Sequence, residues 1–197
     1  MPVTTRSSKK KTQTKSVMSV DEEAKEAMET LRATFKSGKT RSMEWRRNQL
    51  KAFATMCIQE REALCGALKQ DLHKCKFESY FFEVNQLEHE IGEHLKHMDE
   101  WAKPRSVSTD LLNLPGSSFI KPDPLGLVCI IGAWNYPILL SLQPLVGAIS
   151  AGNCVLLKMP SHKYVVLLII LNHWCSSTPI ITLNHVTQIK TISLTSL

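Results

Sequence analysis

The chain has 197 residues, which is enough for one domain with a sizeable core or for part of a larger domain. Hydrophobic residues make up 43% and charged residues 21% of it, which is an ordinary globular composition. The net charge of +6 belongs to the two ends, because all 18 acidic residues lie within 18–158, so the composition does not support a nucleic-acid-binding body.

The cysteine pattern indicates a reducing compartment. Six cysteines are scattered without a C-x-x-C pair, and residues 1–17 lack the apolar stretch of a secretory signal. The longest strongly apolar run, Val165–Leu171, is shorter than the roughly 20 residues that span a bilayer. We therefore predict a cytoplasmic protein.

Residues 1–17 are rich in Ser, Thr and Lys and have almost nothing apolar to bury. This composition predicts a disordered basic arm, with the ordered chain beginning at residue 18. The cluster Lys9–Lys11 also fits a nuclear-import or anionic-surface patch, although a solvated tail is the favoured interpretation.

Three amphipathic helices are predicted next, near 20–36, 43–69 and 78–101. Ser19 and Glu22 fit a capping box before the first helix, and Pro104 ends the third. Apolar residues recur at helical spacing in each segment. The third helix is expected to bury Phe81, Val84, Leu87, Ile91, Leu95 and Met98.

The third helix also contains the sequence HEIGEH, which is close to the zinc-protease signature H-E-x-x-H. The signature needs histidines at i and i+4 on one face, whereas His94 is five residues after His89. We therefore predict no metal site and a solvated polar face.

A small hairpin is predicted within about 105–122, followed by a βαβ unit from 126 to 158. The apolar run Leu127–Ile131 is typical of a strand buried on both faces, and Pro137 suits the first position of a helix. A second apolar strand ends at Lys158. Such a unit predicts an α/β fold with a parallel sheet, in which ligands bind beyond the carboxyl ends of the strands.

Asn135 and Lys158 each follow one of these strands. Asn135 can be a turn residue or helix cap, but between Trp134 and Tyr136 it can also be an amide donor in a dry pocket, suited to stabilising an oxyanion. Lys158 can hold ribose hydroxyls or phosphate, or be a solvated strand end.

Several separated motifs occur along the chain in the order FKSGKTRS (35–42), RRNQL (46–50), PLG (124–126), IIGAWNYP (130–137) and QPLVGAISAGNCVLLK (143–158). Together they resemble the aldehyde dehydrogenase superfamily, and its class 3 branch that oxidises medium- and long-chain aldehydes. The resemblance covers about Val20 to Lys158. It implies amino-terminal helices plus the first βαβ unit of a doubly wound, Rossmann-like cofactor domain, present here only in part over 18–158.

The resemblance also implies a mechanism. In this family a cysteine thiolate attacks the aldehyde, a hydride passes to NAD or NADP, and a glutamate activates water to release the acid. Asn135 would hold the oxyanion together with a backbone amide. Gly132, Ala133 and Trp134 would lie near the nicotinamide side of the cofactor, and Lys158 would face the adenosine ribose.

The chain departs from the family pattern after Lys158. Of the 39 residues in 159–197, 25 are Ile, Leu, Val, Ser or Thr, and none is Gly, Ala, Asp, Glu or Arg. Cys175 is outside any family context and is not assigned as the nucleophile. We predict that 159–197 is a divergent tail, arising from read-through, an alternative exon or a gene-model error, and that the chain lacks the catalytic cysteine and glutamate.

Three functional hypotheses remain from the sequence. The chain can be an amino-terminal piece of an aldehyde dehydrogenase that is inactive alone. It can also be a non-catalytic interaction protein, either a homodimer or a partner of a full-length family member. A basic-tailed binding module rests on Lys9–Lys11 alone.

Overall fold

The computed structural model describes residues 20–160 and the backbone of 180–183. The predicted arm at 1–17 and most of the predicted tail at 159–197 lie outside these residues. The helices in chain order are α1 (Val20–Lys36), α2 (Met43–Gln59), α3 (Arg61–Leu72), α4 (Lys76–Ser79), a π-helical turn (Tyr80–Val84), α5 (Asn85–Trp101) and α6 (Leu139–Ser150). Short 3-10 turns span Lys39–Arg41 and Leu111–Asn113.

The prediction of one helix over 43–69 is wrong, because the chain breaks at Glu60 into α2 and α3. Glu60 has φ −96° and ψ 9°, and its N–H donates to the Met56 carbonyl oxygen. A single non-helical residue barely disturbs the spacing of the buried side chains on either side, so the apolar pattern shows no interruption. The predicted third helix begins at Lys76 and includes the π-helical turn.

Two separate sheets follow the helices. Strands β1 (Arg105–Val107) and β2 (Ser118–Ile120) form the predicted antiparallel hairpin. Strands β3 (Leu127–Ile131), β4 (Cys154–Lys158) and β5 (Ile180–Leu183) form a parallel sheet in that order. The predicted βαβ unit is therefore confirmed, while β5 lies in a segment to which the sequence analysis assigned no structure.

The parallel sheet is covered on both faces, as in a doubly wound fold. Helix α1 packs on one face, where Leu31 contacts the Cys154 and Leu156 side of β4. Helices α6, α2 and α5 build the larger core on the other face. Its largest fully buried side chains include Leu50, Phe53, Leu87, Ile91, Leu142 and Leu145.

Strand β3 is not buried on both faces, which corrects the prediction from its apolar run. Ile131 is 72% exposed and Cys129 is also exposed, whereas β4 is buried over Cys154–Leu157. In the described part of the sheet β3 lies at one edge, where it has a neighbouring strand on one side only. Its side chains alternate between the two faces, and those of Cys129 and Ile131 share the exposed face.

A buried arginine joins the amino-terminal helices to the βαβ unit. Arg46 on α2 donates to the carbonyl oxygens of Thr40 (2.9 Å), Arg41 (3.1 Å) and Ser150, the last residue of α6 (3.3 Å). Gly152 has φ +87°, and a Cβ there would overlap the guanidinium of Arg46. Burial lowers the pKa of Arg46 from its usual value, while the carbonyl oxygens around it supply acceptors for its charge.

None of the helices among the described residues is long and apolar enough to cross a bilayer.

Candidate functional site

The loop Gly132–Tyr136 and the end of β4 meet at the carboxyl edge of the parallel sheet. Ile131 lies opposite Lys158 in the β3–β4 register, and the Gly132 N–H donates to the Lys158 carbonyl oxygen at 2.9 Å. The structure therefore brings Gly132 and Lys158 side by side. The predicted cofactor contacts Ala133 and Trp134 follow directly in the loop, and both are exposed.

Gly132 is a close-approach position. A Cβ added there would overlap the Oγ of Ser141 and would lie 3.0 Å from Ser141 Cβ and 3.2 Å from Pro160 Cδ. Ser141 is itself fully buried in the first turn of α6. Any side chain at 132 would push the loop away from the helix on which it rests.

We expect Gly132→Ala to destabilise the protein by about 1–3 kcal/mol, the usual cost of overpacking a closely packed site. Gly66→Ala is the matched control, because Gly66 lies exposed within α3 with nothing within 4 Å of the added Cβ. That control should gain about 0.5–1 kcal/mol from helix propensity. Urea unfolding followed by circular dichroism measures both, and equal stability changes of the same sign in the two variants would contradict the close approach.

Asn135 is exposed, and its side chain forms no hydrogen bond with the described residues. The helix-cap interpretation of Asn135 is wrong, since α6 begins at Leu139 and Ile138 is its N-cap residue. Pro137 likewise precedes the helix instead of opening it.

Among residues 20–160, Trp134 and Tyr136 do not form the expected dry pocket around Asn135. Trp134 is 69% exposed, and one face of the Tyr136 ring is occupied by the ammonium of Lys74, 3.7 Å from the ring centroid. The two aromatic rings therefore do not enclose the amide among the described residues. Two surface cavities of about 490 and 450 Å³ lie elsewhere, the first beside Arg46 and the second between Arg61 and Tyr80.

A buried ion pair underlies the loop, and the sequence analysis missed it. Lys74 Nζ lies 2.6 Å from Glu83 Oε1 and also donates to the Asn135 carbonyl oxygen at 2.8 Å. Glu83 Oε2 accepts the N–H groups of Ile138 (2.9 Å) and Leu139 (3.3 Å), where α6 begins. One signal was available: Glu83 shares a helical face with apolar Leu87, and a carboxylate in an apolar stripe needs a partner. Phe81, which was predicted on the buried face, is instead 44% exposed.

The described cysteines divide into buried and exposed thiols. Burial, with a smaller contribution from Glu88, raises the pKa of Cys57 to about 12, and burial raises the pKa of Cys154 to about 11. Burial also raises the pKa of Cys65. These three thiols stay protonated near neutral pH, which makes them poor nucleophiles. Cys75 and Cys129 are exposed.

Within residues 20–160 no three His, Cys, Asp or Glu side chains are grouped as metal ligands. His94 Nε2 instead lies 3.4 Å from Glu90 Oε1, and its ring packs edge-on against Trp101. His97 stacks on the same indole. These histidines belong to a helix surface with aromatic and carboxylate neighbours.

The family model described as "Aldehyde dehydrogenase family" matches residues 1–190 of the chain. This chain belongs to the aldehyde dehydrogenase family. The match confirms the resemblance seen in the separated motifs and extends past Lys158, where the motifs stop.

The relatives place this aldehyde dehydrogenase near family 3. It is 42% identical over 134 residues to aldehyde dehydrogenase family 3 comG of Dictyostelium discoideum, which covers 68% of this chain and 28% of that protein. Similar identity, 44% over 133 residues, relates it to aldehyde dehydrogenase family 3 member B1 of Bos taurus. The chain thus spans 28% of the length of these curated relatives.

The solved structures agree with the fold of an aldehyde dehydrogenase. The substrate-bound state of Staphylococcus aureus AldH superposes with a TM-score of 0.78 at 30% identity, over 83% of this chain and 36% of that one. A Staphylococcus aureus betaine aldehyde dehydrogenase in complex with NAD+ has a TM-score of 0.70 at 23% identity, over 78% of this chain and 30% of that one. The described segment therefore has the α/β architecture of the amino-terminal part of the family fold.

Proposed function

We propose that this chain carries the cofactor edge and the oxyanion-binding asparagine of an NAD(P)-dependent aldehyde dehydrogenase, which converts an aldehyde to a carboxylic acid. The observation that carries the proposal is the meeting of the Gly132–Tyr136 loop with Lys158 at the carboxyl edge of two parallel strands. Ligands of open α/β sheets bind at this edge.

The proposed role of Asn135 is to donate a hydrogen bond to the oxygen of the aldehyde when that oxygen becomes negatively charged. A neutral amide held in a fixed loop is suited to this role, because it needs no protonation change during the reaction. Its exposed side chain has no competing hydrogen bond within 20–160. The residue that supplies the nucleophile in an active enzyme would approach from outside this segment.

NAD or NADP is the hydride acceptor when it is bound. Gly132 is half-buried and has no side chain, and Ala133 is exposed with a small one, so both permit the close approach that a flat ring requires. Trp134 offers an exposed aromatic surface beside them. Lys158 is half-buried at the next strand end, which suits a contact with the ribose of the adenosine. These residues fit a nicotinamide dinucleotide without choosing between NAD and NADP.

The chain by itself is expected not to oxidise aldehydes. Cys57, Cys65 and Cys154 are buried protonated thiols, and the exposed Cys75 and Cys129 lie outside the Gly132–Tyr136 loop. No described glutamate lies in the family's catalytic sequence context. The reaction needs a thiolate nucleophile and a base, so their absence from the described site predicts no turnover. Purified chain mixed with NAD+ and a long-chain aldehyde should give no rise in absorbance at 340 nm. Turnover that disappears in a Cys175→Ala variant would contradict this and would assign the nucleophile.

A non-catalytic pairing role is the second candidate, and the β1–β2 hairpin supports it. Six large apolar side chains of this hairpin and its connection are exposed, namely Val107, Leu111, Leu112, Leu114, Phe119 and Ile120. So many exposed apolar side chains on one small hairpin are typical of an interaction surface. Size-exclusion chromatography of the chain, alone and mixed with a full-length family 3 enzyme, tests this candidate. A monomer under both conditions would remove it.

A further inference from the structure

We propose that the buried pair Lys74–Glu83 is the positioning device for Asn135. The pair fixes the backbone from the Asn135 carbonyl to the start of α6 and leaves the amide side chain presented at the edge of the sheet. The contacts of Lys74 and Glu83 alone support the inference that they hold the loop. The inference that this positioning serves catalysis rests on the role proposed for Asn135.

Lys74 holds the carboxyl-terminal end of the loop through two contacts and is itself held by Glu83. Its ammonium donates to Glu83 Oε1 at 2.6 Å and to the Asn135 carbonyl oxygen at 2.8 Å, and it lies 3.7 Å from the centroid of the Tyr136 ring. The side chain is only 9% exposed, so water screens these contacts little. The peptide unit after Asn135 is thereby tied to a residue 61 positions earlier in the chain.

Glu83 holds the residues that follow the loop. Its Oε2 accepts from the N–H groups of Ile138 and Leu139, which have no partner within the helix because they stand at the start of α6. A carboxylate at this end of a helix also interacts favourably with the helix dipole. The Glu83 side chain is fully buried, so its charge depends on these partners and on Lys74.

The arrangement of the Lys74–Glu83 pair indicates that it positions the loop in addition to any contribution to the stability of the fold. A buried ion pair contributes little net stability compared with apolar residues of similar size, because both charges lose their hydration. This pair instead fixes geometry, since it joins three chain segments at the loop. Asn135 is itself the first point of attachment, with its backbone oxygen bound and its side chain exposed, and the second point follows at Ile138 and Leu139.

The test uses the full chain carrying Lys74→Met, with Lys76→Met as the matched control. Lys76 is only two residues from Lys74 and also forms an ion pair, with Glu62. In contrast to the buried pair, the side chains of Lys76 and Glu62 are 70% and 73% exposed. The Asn135 carbonyl carbon, labelled with 13C, reports whether it still accepts a hydrogen bond. Hydrogen exchange of the Ile138 and Leu139 amides reports whether the start of α6 is still held.

We expect Lys74→Met to shift the Asn135 carbonyl resonance and to speed exchange at Ile138 and Leu139 by about tenfold or more, while amides in α5 keep their protection. Lys76→Met should change neither signal. Lys74→Arg, which keeps a charged donor, should restore much of the carbonyl shift. The proposal is overturned if Lys74→Met lowers the melting temperature but leaves the Asn135 resonance and the loop exchange unchanged.

A second variant covers the case in which Lys74→Met does not fold. Glu83→Gln keeps the shape and one acceptor but removes the charge, so exchange at Ile138 and Leu139 should again increase. Unchanged exchange in Glu83→Gln would contradict the proposal independently. Neither readout involves aldehyde turnover, so a failure of the role proposed for Asn135 would appear only in the kinetic experiment below and would be distinguishable.

Discussion

Replacing Asn135 by alanine is expected to lower kcat for aldehyde oxidation by about 10²–10³-fold, or about 3–4 kcal/mol of transition-state stabilisation, as at other single oxyanion donors. The enzyme for this measurement is a hybrid in which residues 20–158 of this chain replace the matching segment of an active family 3 relative. The effect should fall on kcat because the amide binds the charged oxygen of the transition state more strongly than the neutral aldehyde. The KM for the cofactor should change little.

Lys158→Ala is the matched control in the same hybrid. Its position at the end of β4 predicts weaker NAD(P) binding with a smaller effect on the chemical step, so the KM for the cofactor should rise more than kcat falls. If Asn135→Ala instead lowered only thermal stability and left kcat intact, Asn135 would be part of the loop's architecture and not of the reaction.

Arg46→Leu is expected to destabilise the protein by about 3 kcal/mol or more. Leucine fills part of the same space but leaves the carbonyl oxygens of Thr40, Arg41 and Ser150 without their donor, and each buried unpaired acceptor costs about 1–3 kcal/mol. Urea unfolding, analysed with the same denaturant dependence (m-value) for both proteins, measures the loss in the free energy of unfolding.

Arg47→Leu is the control, because it is the neighbouring arginine on the same helix. Arg47 pairs with Asp99, whose side chain is largely exposed, and donates to the Leu95 carbonyl oxygen at 2.9 Å. An exposed pair of this kind contributes about 1 kcal/mol or less. Equal losses for the two arginines would contradict the view that Arg46 joins α2 to the end of α6.

The regular elements of the fold could be predicted because each carries its own local pattern. The apolar spacing of 20–36, the hairpin around Pro115 and Gly116, and the βαβ unit with its turn at Gly152 each depend on neighbouring residues. The break at Glu60 could not be predicted, because no proline or glycine marks it. The exposure of β3 depends on which elements pack beside it. The sequence of β3 alone does not specify these neighbours.

The sequence predicted which residues lie at the candidate site, but it did not predict the contacts that surround them. The strand-end rule brought Asn135 and Lys158 to one edge, and the structure places the Gly132 N–H on the Lys158 carbonyl oxygen there. Lys74 and Glu83 were missed because the backbone groups that they bind around Asn135 and Ile138 lie 55 to 61 residues away, which no periodicity encodes. The predicted dry pocket could not be judged from the strand-end rule, which places the loop but does not say how far Trp134 is covered; among the described residues Trp134 is 69% exposed.

The central claim, that the carboxyl edge of β3 and β4 receives a nicotinamide cofactor, is tested most directly by titrating NAD+ and NADP+ into 15N-labelled chain. We expect the largest amide shifts at Gly132, Ala133, Trp134 and Lys158, with much smaller shifts when Lys158 is replaced by alanine. No shift at this edge up to the highest soluble cofactor concentration, or shifts centred instead on the cavity between Arg61 and Tyr80, would contradict the account.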